Sequence, residues 1–389
     1  MHWDESISHS RQLTAIELLR KATAVQPDKI HHWENLASLL LVTGRTTEAV
    51  TILNEALLQH PSSPSLQITL ADAYVQMRRN DLARKVIDSS IIPTEDRKTT
   101  IRRLELLMML GQPRDAHQAA IEALGLDPVN HRALQVLGQV SRGSGNPETM
   151  LPLCRLALNH DPESARAHYE LAVALAMLGQ RKEARALMKL EELVCTVELD
   201  TPSGYKSSEA FEAALASELL NNPTLSADPV NKATAGGFQT QSGLPHGGDP
   251  ATAVAIDMIR SAIEGLAATS PSRCEAVFMR RCPGRVRIDA WGVVYPGGGR
   301  QVSHIHPAGW LSGVYYVSTP LPSPDAVRAG CLLVGTLDID GTDPPWGVLV
   351  IHPKPGRMVT FPSYVPHSTV PTDSNVARIC IAFDVIPVG

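Results

Sequence analysis

The stretch Ser303-His304-Ile305-His306-Pro307-Ala308-Gly309-Trp310-Leu311-Ser312-Gly313-Val314-Tyr315-Tyr316 sets two imidazoles beside a turn and an apolar run. Successive side chains of an extended strand alternate faces, so His304 and His306 would present both rings to one side, as metal ligands do. A third imidazole, His367, lies within Val359-Thr360-Phe361-Pro362-Ser363-Tyr364-Val365-Pro366-His367-Ser368-Thr369, and Arg378 follows it by eleven positions. Short β-rich runs surround these residues: Val286 to Tyr295, Leu311 to Ser318, Cys331 to Leu337, Gly347 to His352, Arg357 to Phe361 and Ala377 to Ile386. Gly and Pro punctuate them, a pattern that predicts an antiparallel barrel or sandwich. Both His sites fall at strand ends, where a barrel mouth opens onto an interior wide enough for one small ligand.

The first half of the chain is periodic instead. Pro27 and Pro61 stand 34 residues apart, as do Pro128 and Pro162, which is the period of tetratricopeptide repeats. With Trp33 at the first signature position, Leu36, Ala37, Leu40, Gly44, Ala49, Leu53, Ala56 and Pro61 occupy the large and small sites through which two helices pack. The pattern recurs through Leu70, Ala71, Tyr74 and Ala83, then Gly111, Ala116, Ala120 and Ala123, then Leu137, Gly138, Gly145 and Ala157, and finally Leu171, Ala172, Leu175, Gly179 and Ala184. Five full repeats are expected, preceded by a half unit around Ala15, Leu19 and Ala22. Stacked helix pairs form a solenoid whose concave groove suits a peptide or protein. The periodicity fades after Val194, and Thr201-Pro202-Ser203-Gly204 breaks the chain. The expected division is an all-α repeat solenoid over 1–195 and a β-rich domain over 196–389, with a helix from Ala251 to Ala268 on its outside.

Composition narrows the partners. A net charge of −5 with pI near 6.3 and scattered Lys and Arg argues against nucleic acid. No run is long enough to span a bilayer, and the start has no basic and apolar leader pattern, so the expected location is the cytoplasm. The six cysteines never form a C-x-x-C pair and read as reduced thiols.

The runs HIHPAGWLSGVYYV, PKPGRMVTFPSYVPHSTVP and RICIAFDV resemble bacterial 2-oxoglutarate/Fe(II)-dependent oxygenases that often carry N-terminal tetratricopeptide repeats. The resemblance is strong over the last third of the chain and weaker from about Thr201 to Arg300. It implies a double-stranded β-helix (jelly-roll, cupin-like) fold, Fe(II) as cofactor and 2-oxoglutarate as co-substrate. It also implies hydroxylation of an unactivated C–H, with succinate and carbon dioxide as co-products. His304, His306 and His367 then fall on the metal positions. Arg378 falls on the anchor for the distal carboxylate of 2-oxoglutarate, which a guanidinium can bind through two parallel hydrogen bonds. Tyr315 or Tyr316 would reach the co-substrate, and Ser368 could add a hydroxyl.

The chain departs from the commoner family pattern at His306, where Asp or Glu is usual. Three ligand sets answer this. The first is three imidazoles; the second is a carboxylate from Asp338, Asp340 or Asp343 in place of one of the pair; the third is a zinc or other cupin-like site. By fold-level analogy a peptide or protein side chain is the first substrate expected and a small metabolite the second. The competing function is a repeat scaffold whose barrel is degenerate and inactive.

Overall fold

In the computed structural model, which describes residues 5–89, 96–229, 232–245, 249–269, 285–320, 327–337, 339, 344–372 and 376–388, the chain divides into two compact units, Met1–Gly143 and Ser144–Gly389. Cys274, Cys282, Asp338, Asp340 and Asp343 lie outside the described residues.

The first unit is helical: α1 (Glu5–Val25), α2 (Ile30–Val42), α3 (Thr46–Gln59), α4 (Pro64–Gln76), α5 (Asn80–Ser89), α6 (Arg97–Met109), α7 (Pro113–Leu126) and α8 (His131–Ser144). Helix α2 pairs with α3, α4 with α5 and α6 with α7, as the 34-residue period predicts. The signature residues Trp33, Leu36, Ala37 and Leu40 of α2 meet Ala49, Leu53 and Ala56 of α3 in one buried cluster, joined by Leu66, Leu70 and Ala73 of α4. Small residues opposite large ones let the helices approach closely without voids. The Trp33 indole donates to the Pro27 carbonyl at 2.9 Å, which fixes the entry to the repeat. The turn inside each repeat needs a left-handed residue, supplied by Gly44 (φ +75), Gly111 (φ +68), Gly145 (φ +69) and Gly179 (φ +71). In the second repeat the equivalent position, 34 residues after Gly44, is Arg78, held at φ +58 despite its Cβ.

The second unit opens with a short 3₁₀ turn, Pro147–Thr149, then α9 (Met150–His160), α10 (Ala165–Met177), α11 (Arg181–Met188) and α12 (Leu190–Leu193). Next come β1 (Cys195–Glu198), α13 (Ser208–Leu220), β2 (Ser226–Ala227), β3 (Thr234–Ala235), β4 (Phe238–Gln239) and α14 (Pro250–Thr269). The remaining strands are β5 (Val286–Tyr295), β6 (Arg300–Gln301), β7 (Leu311–Ser318), β8 (Leu332–Val334), β9 (Leu349–Ile351), β10 (Arg357–Pro362), β11 (His367–Thr369) and β12 (Arg378–Pro387). All pairings are antiparallel. The larger sheet has the order β1-β10-β7-β12-β5-β4-β2, and the smaller sheets are β11-β8-β9 and β3-β6. This is the jelly-roll arrangement.

The β-rich runs between Gly and Pro located the long strands, and β5 and β7 have the expected bounds. The two- to four-residue strands β1, β2, β3, β4 and β6 were not legible, because so few residues carry no period. Helix α14 fills the expected span but packs on α13, which in turn lies against β7. Glu218 of α13 accepts the backbone N–H groups of Ala251 and Thr252 at 2.9 and 2.7 Å, capping α14. Helices α10 and α11 are tied to the loops between strands. The Tyr364 hydroxyl donates to the Leu187 carbonyl at 2.8 Å, its ring stacks on His168 at 4.9 Å, and Arg185 donates to the Pro345 carbonyl at 3.1 Å.

Candidate active site

A cavity of about 350 Å³ opens between the large sheet and the smaller ones. Its walls follow the two-residue period of the strands: Asp289, Trp291, Val293 and Tyr295 of β5, and Arg378, Cys380, Ala382 and Asp384 of β12. These two rows face each other in register, Arg378 opposite Tyr295 and Asp384 opposite Asp289. His304, His306, His367 and Thr369 line the same cavity, with a bridge pairing His304 to His367 across the mouth.

The three ligand nitrogens lie within 4.8 Å of one another. Each ring turns its Nδ1 to an acceptor: His304 to the Val302 carbonyl at 2.7 Å, His306 to Asp384 Oδ2 at 2.9 Å and His367 to the Val365 carbonyl at 3.2 Å. A carbonyl or carboxylate oxygen can only accept, so each Nδ1 carries a proton, which leaves Nε2 as the atom of each ring that can ligate. The Nε2 atoms of His304 and His306 are 3.1 Å apart. That is also the separation of ligands at right angles on an ion about 2.1 Å from each. Burial and the neighbouring His306 hold the His304 pKa down to about 4, and burial with its two neighbours holds His367 well below the usual value. Both rings are therefore neutral at pH 7, as ligation requires. The donor set fits a divalent transition metal.

Arg378 lies deeper, only 2% exposed. Its Nη2 reaches the Tyr316 hydroxyl at 3.5 Å, and its guanidinium stands 5.3 Å from the Tyr316 ring and 5.8 Å from that of Tyr295. Its Nε and the Tyr295 hydroxyl have no hydrogen-bond partner among the described residues, and no carboxylate there pairs with it. A buried cation without an anion is costly. Tyr316 shares a strand face with Ser312 and Val314, which line the cavity. Tyr315 faces the other way, where burial and nearby Glu212 of α13 raise its pKa to about 12. Ser368 likewise alternates away from His367 and Thr369 and is not brought to the cavity.

Several cavity residues were missed in the sequence. Asp384 hydrogen-bonds His306 and stands six residues after Arg378, so even spacing along one strand was the available signal. Gln239 and Gln301 meet through Thr234, whose hydroxyl donates to Gln239 Oε1 at 2.9 Å and accepts from Gln301 Nε2 at 3.0 Å. The segment Thr234-Ala235-Gly236-Gly237 makes this possible, because Gly236 and Gly299 touch backbone to backbone. A Cβ on Gly299 would lie 2.3 Å from the Gly236 carbonyl oxygen.

Residues 289–384 match the family described as "Putative 2OG-Fe(II) oxygenase", and residues 13–65, 43–97 and 153–192 match tetratricopeptide-repeat families. No curated protein matches the sequence. Among solved structures, a Pseudomonas putida prolyl-4-hydroxylase is similar at 18% identity over 53% of this chain and 100% of that one, with TM-score 0.37. A Trichoplax adhaerens prolyl hydroxylase, solved with a hypoxia inducible factor peptide fragment, is similar at 17% identity over 54% and 91%, with TM-score 0.35. YrrB, a tetratricopeptide-repeat protein with an unusual peptide-binding site, is similar at 20% identity over 45% and 90%, with TM-score 0.37. The chain thus joins tetratricopeptide repeats to a domain of the 2-oxoglutarate/Fe(II) oxygenase family.

Proposed function

We propose that the protein is an Fe(II)- and 2-oxoglutarate-dependent dioxygenase that hydroxylates a peptide or protein side chain presented with help from the repeat groove. The observation that carries this reading is one cavity holding three imidazoles whose ligand nitrogens lie within 4.8 Å of one another and a buried guanidinium with no carboxylate partner among the described residues. When bound, Fe(II) would couple dioxygen reduction to oxidative decarboxylation of 2-oxoglutarate, yielding succinate and carbon dioxide and placing one oxygen atom on a substrate C–H.

The chain's own residues do the positioning. His304, His306 and His367 hold the ion, and their Nδ1 hydrogen bonds keep the rings aimed inward. Arg378, with the Tyr316 and Tyr295 hydroxyls near it, binds the distal carboxylate of 2-oxoglutarate and so fixes its length along the cavity. Trp291, stacked 5.8 Å from His306, and Ile305 and Pro307 screen the mouth from water. In the first unit a polar hollow of about 740 Å³, lined by Glu34, Asn35, Ser38, Thr69, Lys98 and Arg102, supports peptide binding by the repeats.

The test needs no substrate. Purified protein loaded anaerobically with Fe(II) is exposed to oxygen and 2-oxoglutarate, and succinate is followed. Turnover lost in His367→Ala and in Arg378→Ala at ordinary 2-oxoglutarate is the expected result. Oxidation of a peptide library by wild type, read as a 16 Da gain absent with His367→Ala, then identifies the substrate. Failure of the wild type to bind Fe(II) overturns the reading.

A further inference from the structure

We propose that Asp384 is a positioning residue of the metal centre. It holds His306 through Nδ1 and supplies, one residue further out, the negative charge that His306 itself does not bring. The inference rests on the metal-binding reading above and concerns how this chain compensates for an imidazole where the family more often has a carboxylate.

Both oxygens of Asp384 are engaged. Oδ2 accepts from His306 Nδ1 at 2.9 Å, and Oδ1 accepts from the Ser312 hydroxyl at 2.6 Å. With its proton given to Asp384, Ser312 can only accept from Ser363, whose Oγ is 2.8 Å away. The chain Ser363–Ser312–Asp384–His306 therefore runs in one direction and ends on a single ring nitrogen. Strand register makes it rigid, since Asp384 of β12 stands directly opposite Ser312 of β7. Space for it is reserved by Gly309, where a Cβ would lie 2.4 Å from Ser363 Oγ.

Charge completes the argument. Asp384 is buried, and among the described residues its only ion-pair contact is His306, with no Lys or Arg within salt-bridge distance. A buried carboxylate whose one charged partner is an imidazole gains from a further positive charge beyond that ring. A divalent cation at the imidazoles supplies it. A carboxylate hydrogen-bonded to a ligating imidazole raises its basicity and fixes its tautomer and orientation.

The test is a visible-absorption titration of the full-length metal-free protein with Co(II) under anaerobic conditions, comparing wild type, Asp384→Asn, Asp384→Ala and Ser312→Ala, with His367→Ala as control. Asp384→Asn keeps a carbonyl for Nδ1–H and nearly the same shape while losing the charge, so it carries the test even where Asp384→Ala fails to fold. Expected are Co(II) affinity weakened about 10- to 100-fold in Asp384→Asn and a shifted Co(II) d–d band. Ser312→Ala should give a smaller shift in the same direction. A purely structural Asp384 would change the melting temperature and leave band and affinity unmoved. Unchanged affinity and spectrum in Asp384→Asn overturn the proposal while leaving the metal reading standing, whereas no Co(II) binding by wild type overturns both.

Discussion

Replacing Arg378 with Met separates its role as an anion anchor from any role in holding the fold. The guanidinium is 2% exposed and has exchanged its water for one long hydrogen bond and two ring faces. Burying such a charge costs several kcal/mol after relaxation, while each ring face returns about 1–2 kcal/mol and a 3.5 Å hydrogen bond little. A methionine of similar length removes that deficit, so ligand-free Arg378→Met should be as stable as wild type or more stable by roughly 1–4 kcal/mol. The wild-type protein recovers the deficit only with a bound anion. At a 2-oxoglutarate concentration about 100 times its Kd the folded state gains about 2.7 kcal/mol, which for a unit of this size raises Tm by roughly 5–10 °C. Calorimetric melting of metal-loaded, oxygen-free protein with and without 2-oxoglutarate reads both effects. Arg378→Met should start at or above the wild-type Tm and show no ligand shift. A variant that melts several degrees below wild type, together with a wild type that 2-oxoglutarate does not stabilise, would refute the reasoning, because Arg378 would then be satisfied by the protein itself.

Two further outcomes are expected. The His304 pKa falls from the usual 6.5 to about 4 on folding, and burial lowers that of His367 as well, so below pH 6.5 the unfolded chain binds more protons than the folded one. Stability of the metal-free protein should be full above pH 6.5 and decline as pH falls toward 4, by about 3 kcal/mol from His304 alone. Melting curves from pH 7.5 to 4.5 check the sign, and a flat profile would contradict it. In the repeats, exposed Arg78 sits at φ +58 where the other repeats have glycine, so Arg78→Gly should stabilise the helical unit by about 0.5–1 kcal/mol in a urea titration. A loss of stability would mean that the Arg78 side chain makes contacts worth more than the backbone strain.

The sequence by itself determined the periodic parts of this molecule. A 34-residue recurrence of large and small residues leaves helix pairs one way to cover their apolar faces, so Trp33, Ala49 and Ala56 were legible as packing residues before any coordinates. The β-rich runs Val286 to Tyr295 and Ala377 to Ile386, set off by Gly and Pro, likewise specified strands, observed at Val286–Tyr295 and Arg378–Pro387. The spacing of His304 and His306 announced that two imidazoles share a face, and His367 with Arg378 completed a recognisable order. Only the tertiary structure decided which atoms meet. Register across β5, β12 and β7 places Asp384 on His306 and Tyr316 on Arg378, while one step of alternation sends Tyr315 and Ser368 elsewhere. Gln239 and Gln301 reach the cavity through strands of two residues, too short to show a period. A one-residue shift of register would exchange every one of these faces, and what fixes register is the burial of whole sheets against each other, which no local stretch of sequence contains.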